Sequence, residues 1–181
     1  GSVAVFPKNE TPLGEREVVV IANTDDVDLD NEVVLPRGAD LTYFKQNGSI
    51  FLDHMTDAAN HVGNMRKVTK VMEGDRHRAW KVQIGLLKLK HPAPDDVLAK
   101  VADSALGVSI GFEPLEYGPP TDEETALYGA GVRNVIRKWK WLELSFTALP
   151  CNVPCRSVQH AGGGKRRVFV FPKSGITVVG K

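Results

Sequence analysis

The run from Val132 to Ala148 constrains the fold most. It is long, rich in β-branched and aromatic residues, and stopped by Leu149-Pro150. Such a run reads as one extended strand, so the domain must be built around a sheet. Strict alternation sets Leu142, Leu144 and Phe146 on one face and Trp141, Glu143 and Ser145 on the other. Glu143 is the anomaly. A carboxylate inside an apolar run is costly to bury unless it is paired. Lys138, Lys140 and Arg137 are partners at close spacing, and a histidine from elsewhere is another.

Further strands are legible around it. Arg16 to Asn23 is short and β-branched, and Ser49 to Asp53 reads as a strand with His54 at its end. Met65 to Met72 and Arg78 to Leu87 form a hairpin about Glu73-Gly74-Asp75. Val108 to Tyr117 is another strand. Asp40 can cap a short helix over Leu41 to Gln46, stopped by Asn47-Gly48. A second helix, Pro94 to Ala105, carries Val97, Leu98, Val101, Ala102 and Ala105 on one face and covers the sheet. Gly107 would end it in the left-handed conformation. The glycines around Ser109 also permit close approach of another backbone.

The acidic stretch Asp25 to Glu32 departs from a calcium-binding loop at Asn31 and Arg37, counting from Asp26, and reads as solvated loop. Gly118 to Gly131 reads as a surface loop and a candidate flap. Gly1-Ser2 reads as a tag scar. The domain is expected over 3–155, followed by a Gly-rich basic linker over 156–167 and a strand or hairpin over 168–181.

The chain has 181 residues and a net charge of +1, which gives no electrostatic footprint for nucleic acid or an acidic membrane surface. No apolar run reaches the ~18 residues of a membrane span. Cys151 and Cys155 are too few for a disulfide framework, lack a matching second pair for zinc, and are read as free thiols.

Ser109 stands alone in the apolar run Leu106-Gly107-Val108-Ser109-Ile110-Gly111-Phe112. As a nucleophile it needs a base, because a free hydroxyl stays protonated at neutral pH. His77, His91 and His160 lie in polar or linker surroundings and read as surface residues. His54 closes an apolar strand and is the candidate base. The third group, which would fix the imidazole tautomer, is Glu143, with Asp57 and His61 as alternatives. Asp53 adjoins His54 but is poorly placed to orient it.

These motifs, in order, resemble the prohead (capsid maturation) protease family of tailed bacteriophages, relatives of the herpesvirus capsid proteases. The resemblance rests on Ala22-Asn23-Thr24-Asp25 to Val34-Leu35-Pro36, then Phe51-Leu52-Asp53-His54 with His61-Val62-Gly63. It continues through Gly107 to Phe112, and Leu142-Glu143-Leu144-Ser145 leading to Ala148-Leu149-Pro150-Cys151-Asn152. It spans roughly residues 16 to 155, and departs from the usual small residues after the last strand at Cys151 and Cys155.

The resemblance implies a mainly β fold with helices (α+β), a closed β-barrel of about six to eight strands surrounded by helices. It implies a serine endopeptidase with Ser109 as nucleophile, His54 as general base and Glu143 as the third member. Herpesvirus relatives use a second histidine there, which keeps His61 as a rival. No metal or cofactor is implied; loop amides near Gly63 or Gly111 are candidates for the oxyanion hole. Implied substrates are the phage scaffold protein, the N-terminal segment of the major capsid protein and the enzyme itself, cut within the linker from Ser157 to Arg167. The implied location is the procapsid interior in the host bacterial cytoplasm, and a homodimer is compatible with it. Two other readings are a metal-dependent hydrolase using Asp53, His54, Asp57 and His61, and a catalytically silent capsid- or scaffold-binding module.

Overall fold

The computed structural model describes residues 3–4, 13–88, 92–103, 105–160 and 169–170. In chain order the described strands are β1 (Val3–Ala4), β2 (Glu17–Thr24), β3 (Glu32–Val34), β4 (Ala39–Asp40), β5 (Ser49–Leu52) and β6 (Gly63–Glu73). They continue with β7 (Arg76–Leu86), β8 (Gly107–Gly118), β9 (Asn134–Thr147), β10 (Ser157–His160) and β11 (Phe169–Val170). The helices are α1 (Thr42–Asn47), α2 (Pro92–Ala102) and α3 (Asp122–Tyr128).

β9 is the spine. One of its edges pairs antiparallel with β8, and the other pairs in parallel with β3, β4 and β5 in succession. From β5 the sheet continues antiparallel through β6, β7, β2 and β10. β1 and β11 pair with each other apart from this sheet.

The β-branched β2 is buried on both faces. Val18, Val20 and Ala22 join the main core, whereas Val19 and Ile21 join Val71, Ala79 and Val158 in a smaller cluster. The main core fills the concave side and is dominated by aromatics. Phe44 stacks on Trp141 with centroids 4.6 Å apart, and Trp139 and Trp80 pack around them. Trp80 and Trp139 donate their indole N–H groups to the carbonyls of Pro36 and Leu35, so no polar edge is stranded.

The closed, helix-surrounded barrel is not formed. Strand accounts for 48% and helix for 19%, and the sheet curls into an open half-barrel. Among the described residues the β8 edge is bridged to the far side between Gly107 and Arg156, where the Val108 N–H reaches Cys155 O at 3.0 Å. Beyond that point β8 has the features of an edge strand. Pro114 has no N–H to offer, and Glu113 and Glu116 are turned to Lys140 and Lys138 of β9. Of the three helices, α3 buries no residue.

Several local expectations change. α2 ends at Ala102, and Gly107 is the first residue of β8 with no positive φ. Close approach explains that glycine: a Cβ there would lie 2.5 Å from Pro150 Cγ and 2.8 Å from Cys155 O. The expected loop after β8 contains α3, opened by a reciprocal capping box between Thr121 and Glu124. Ser157–His160, expected to begin a linker, is a strand of the main sheet; residues 161–167 lie outside the described residues, as does most of the expected C-terminal strand. The hairpin turn holds, with Gly74 at φ 58°. Gly48 caps α1 at φ 61°, as expected.

The acidic loop is not wholly solvated. Asp25 is buried and receives Arg76 Nε and Arg78 Nε, each at 2.6 Å. His77, expected in solvent, is half-buried edge-on to Trp80 and bonded to Ala79 O. His91 lies outside the described residues and His160 is in β10.

Candidate active site on the convex face

The site is built where β5 ends against β9. Ile50, Phe51 and Leu52 lie in register with Leu144, Ser145 and Phe146. The chain then turns through two consecutive non-glycine residues in the left-handed region, Asp53 at φ 46° and His54 at φ 61°. Each costs energy that surrounding bonds must offset. The Asp53 N–H donates to Phe146 O at 3.0 Å, Met55 N–H to Leu52 O at 2.9 Å, and His54 N–H to Ser145 Oγ at 3.1 Å. His54 is therefore a turn residue rather than the last residue of a strand. The turn carries its ring back over β9.

There it meets Glu143. His54 Nδ1 lies 2.7 Å from Glu143 Oε1. The carboxylate side chain is only 8% exposed, against 45% for the imidazole. The other carboxylate oxygen accepts the Ser145 hydroxyl at 2.6 Å. Both oxygens of this buried acid are thus engaged, which is what makes its burial tolerable. The bond from Glu143 is the largest influence raising the His54 pKa above its ordinary value; partial burial opposes it, and the Glu143 and Asp53 charges add to it.

A β-bulge puts Glu143 on this face. Gly111 pairs with Glu143 and the next residue, Phe112, pairs with Trp141, which leaves Leu142 as the extra residue of β9. The alternation therefore breaks at Leu142. Trp141 faces the core together with Leu144 and Phe146, contrary to the simple period-two reading, while Glu143 and Ser145 face outward.

Ser109 lies directly across from Ser145 in the β8–β9 ladder. Val108 belongs to the core and Ile110 and Phe112 pack against it, so Ser109 and Gly111 share the outer face with Ser145 and Glu143. Ser109 is half-buried and reachable, whereas Ser145 is 0% exposed. No hydrogen bond joins Ser109 to His54 among the described residues. With Nδ1 donating to Glu143, the unshared pair of His54 is on Nε2, the tautomer a base needs.

The alternatives for Glu143 have other partners. Arg137 bonds Glu124, Lys138 bonds Glu116, and Lys140 faces Glu113. His61 is turned away, its Nε2 on Gly63 O at 2.8 Å and its ring against Phe51. Asp57 is exposed and occupied within its own turn by the N–H groups of Ala59 and Asn60. Asp53, His54, Asp57 and His61 do not converge: among the described residues no group of three or more His, Cys, Asp or Glu is placed to hold a metal ion. Gly63 and Gly111, considered for the oxyanion hole as loop residues, are strand residues opposite Leu86 and Glu143.

Two residues have roles that the sequence does not assign. Ser145 is two positions from Glu143, a spacing that puts both on one strand face, and that is its signal. Gly111 is legible as a place of close approach and as a candidate oxyanion-hole amide, but not as the room left for Glu143. Away from the site, Thr24 and Asn152 bond each other through side chain and backbone, joining two of the motif segments. Cys151 and Cys155 are unbridged; burial is the main cause that pushes their thiols up, Cys151 to about 11. A cavity of about 670 Å³, lined by Arg16, Arg66, Gly85 and Lys88 among others, contains none of Ser109, His54 and Glu143. Comparisons with protein families, with curated proteins and with solved structures each return no match.

Proposed function

We propose that this chain is a serine endopeptidase in which Ser109 is the nucleophile, His54 the general base and Glu143 the residue that orients and charges the base. The observation that carries the reading is the 2.7 Å bond between His54 Nδ1 and a buried Glu143, on the sheet face that also bears Ser109. His54 Nε2 takes the Ser109 proton as Oγ attacks the peptide carbonyl. The imidazolium, paired with Glu143, then protonates the leaving amine, and water hydrolyses the acyl-enzyme by the same route. In a chain without substrate the Ser109–His54 contact need not be formed, since catalytic hydrogen bonds commonly tighten only in the substrate complex.

The substrate class follows from the sequence resemblance. The enzyme acts in phage procapsid maturation on the scaffold protein and the N-terminal segment of the major capsid protein, inside the procapsid in the host bacterium. Confinement with these substrates raises their effective concentration, so modest intrinsic turnover suffices. Self-cleavage is proposed in the stretch from Ser157 to Arg167, of which Ser157–His160 is paired in the sheet.

Co-expression of the chain with the major capsid protein of the same phage tests this reading. Capsid protein shortened at its N-terminus by the wild-type chain, and left intact by Ser109→Ala, supports it. Equal shortening with both removes Ser109 from the reaction.

A further inference from the structure

We infer that Ser145 is a positioning residue: its buried hydroxyl clamps the acid and the base to each other by bonding the Glu143 carboxylate and the His54 backbone at once. This rests on the reading of Ser109, His54 and Glu143 proposed above, which gives Ser145 no part in the chemistry.

The geometry is specific. The Ser145 hydroxyl has one proton, and it goes to Glu143 Oε2 at 2.6 Å. Its lone pair receives the His54 N–H at 3.1 Å. The side chain that carries the acid's second bond is therefore also the peg for the residue that carries the base. Ser145 cannot itself be a nucleophile of the same kind, since it is fully buried and its proton is directed at a carboxylate rather than at an imidazole.

The peg has a strained turn to hold. Asp53 and His54 are both left-handed, a conformation disfavoured in non-glycine residues. Among the described residues the Asp53 N–H to Phe146 O, the His54 N–H to Ser145 Oγ and the His54 Nδ1 contact with Glu143 tie it to β9. Removing the hydroxyl releases one of them and leaves Glu143 Oε2 without its donor. The ring then leaves Glu143. A serine present only for packing would not couple the ring's titration to the backbone of the turn.

Two variants separate these roles. In Ser145→Ala the His54 imidazole, followed by proton NMR, is expected to titrate lower than in the wild type, toward the ordinary histidine value. Labelling of Ser109 by a serine-reactive phosphonate is expected to slow at least ~10-fold. The charged groups acting on the ring are Glu143 and Asp53, and both remain. In the double variant Asp53→Gly/Ser145→Ala, glycine accommodates the left-handed turn without the peg, and labelling is expected to recover severalfold over Ser145→Ala. That recovery also separates positioning from a failure to fold.

A His54 titration that stays at or above its wild-type value in Ser145→Ala, with labelling at the wild-type rate, overturns the inference. So does loss of labelling that Asp53→Gly leaves unrescued while the titration stays unchanged. If wild-type Ser109 does not label at all, but the titration still falls in Ser145→Ala, the catalytic reading fails and the clamp stands.

Discussion

Gly111 lies opposite Glu143 in the β8–β9 ladder, and a Cβ on Gly111 would come within 2.1 Å of Glu143 Oε1, the oxygen that holds His54. The missing side chain on one strand is the space occupied by the acid of the next. Gly111 does not have a positive φ, so alanine fits the backbone, and the nearest atoms it meets are Oε1, Cδ and Cγ of Glu143.

Gly111→Ala is therefore expected to leave the sheet in place and displace Glu143. Overpacking of this kind costs about 1–3 kcal/mol. The His54 titration should fall toward the ordinary value, and activity should drop ~10-fold or more. Proton NMR of the imidazole and a thermal melt measure the two effects separately.

Glu143→Gln changes the pH dependence with a definite sign. The paired imidazole has a raised pKa, so its ion pair contributes stability that is fully present below the unfolded histidine value, about 6.5, and lost as pH rises through the folded one. Catalysis needs the neutral ring, so wild-type activity should appear on the alkaline side of that raised value. The variant should shift this limb to lower pH while lowering the maximum rate, by at most about 10⁴-fold. A pH–rate profile of both proteins checks it.

Asp25→Asn should destabilise the fold without touching the site. The buried carboxylate accepts from both Arg76 and Arg78; Arg78 keeps Glu73 and Asp26 when the carboxylate is neutralised, so the loss is that of the charge-assisted bonds, about 1–3 kcal/mol. Urea unfolding should show a lower midpoint with an unchanged slope.

Thr121→Ala should loosen α3 alone. It removes the cap that accepts the Glu124 N–H, at a cost of about 1 kcal/mol. Glu124 remains bonded to Arg137 of β9, and α3 buries no residue, so the global melting temperature should move little. Faster amide exchange confined to 122–128 is the expected signal.

The strands were legible because β-branched and aromatic runs report their own burial: β2, β6, β7, β8 and β9 all fall within a few residues of where composition puts them. What escaped was set by tertiary contact. Trp141 was placed beside Glu143 by strict alternation, and the bulge at Leu142, which no local pattern announces, turned it into the core. The capping pattern of Thr121 and Glu124 was present, but the surrounding glycines and prolines masked it. Asp25 resembles its acidic neighbours in sequence, and its burial is matched by Arg76 and Arg78, which β7 brings to it, Arg78 reaching Asp26 as well. Barrel closure failed for a similar reason, since an edge strand is defined by what does not pair with it.

At the site, Ser109, His54 and Glu143 were named from type and context, and the fold gathers His54 and Glu143 into a bond while setting Ser109 on the same face. The roles of Ser145 and Gly111 are geometric. One bonds two partners from a buried position and the other supplies a vacancy, and neither residue type suggests that.

The central claim is that His54, supported by Glu143, activates Ser109. Intact mass after incubation with a serine-reactive phosphonate tests it most directly, with Ser109→Ala and His54→Ala alongside. The account predicts a single adduct on Ser109 in the wild type and none in either variant. Labelling of both variants at the wild-type rate would contradict it.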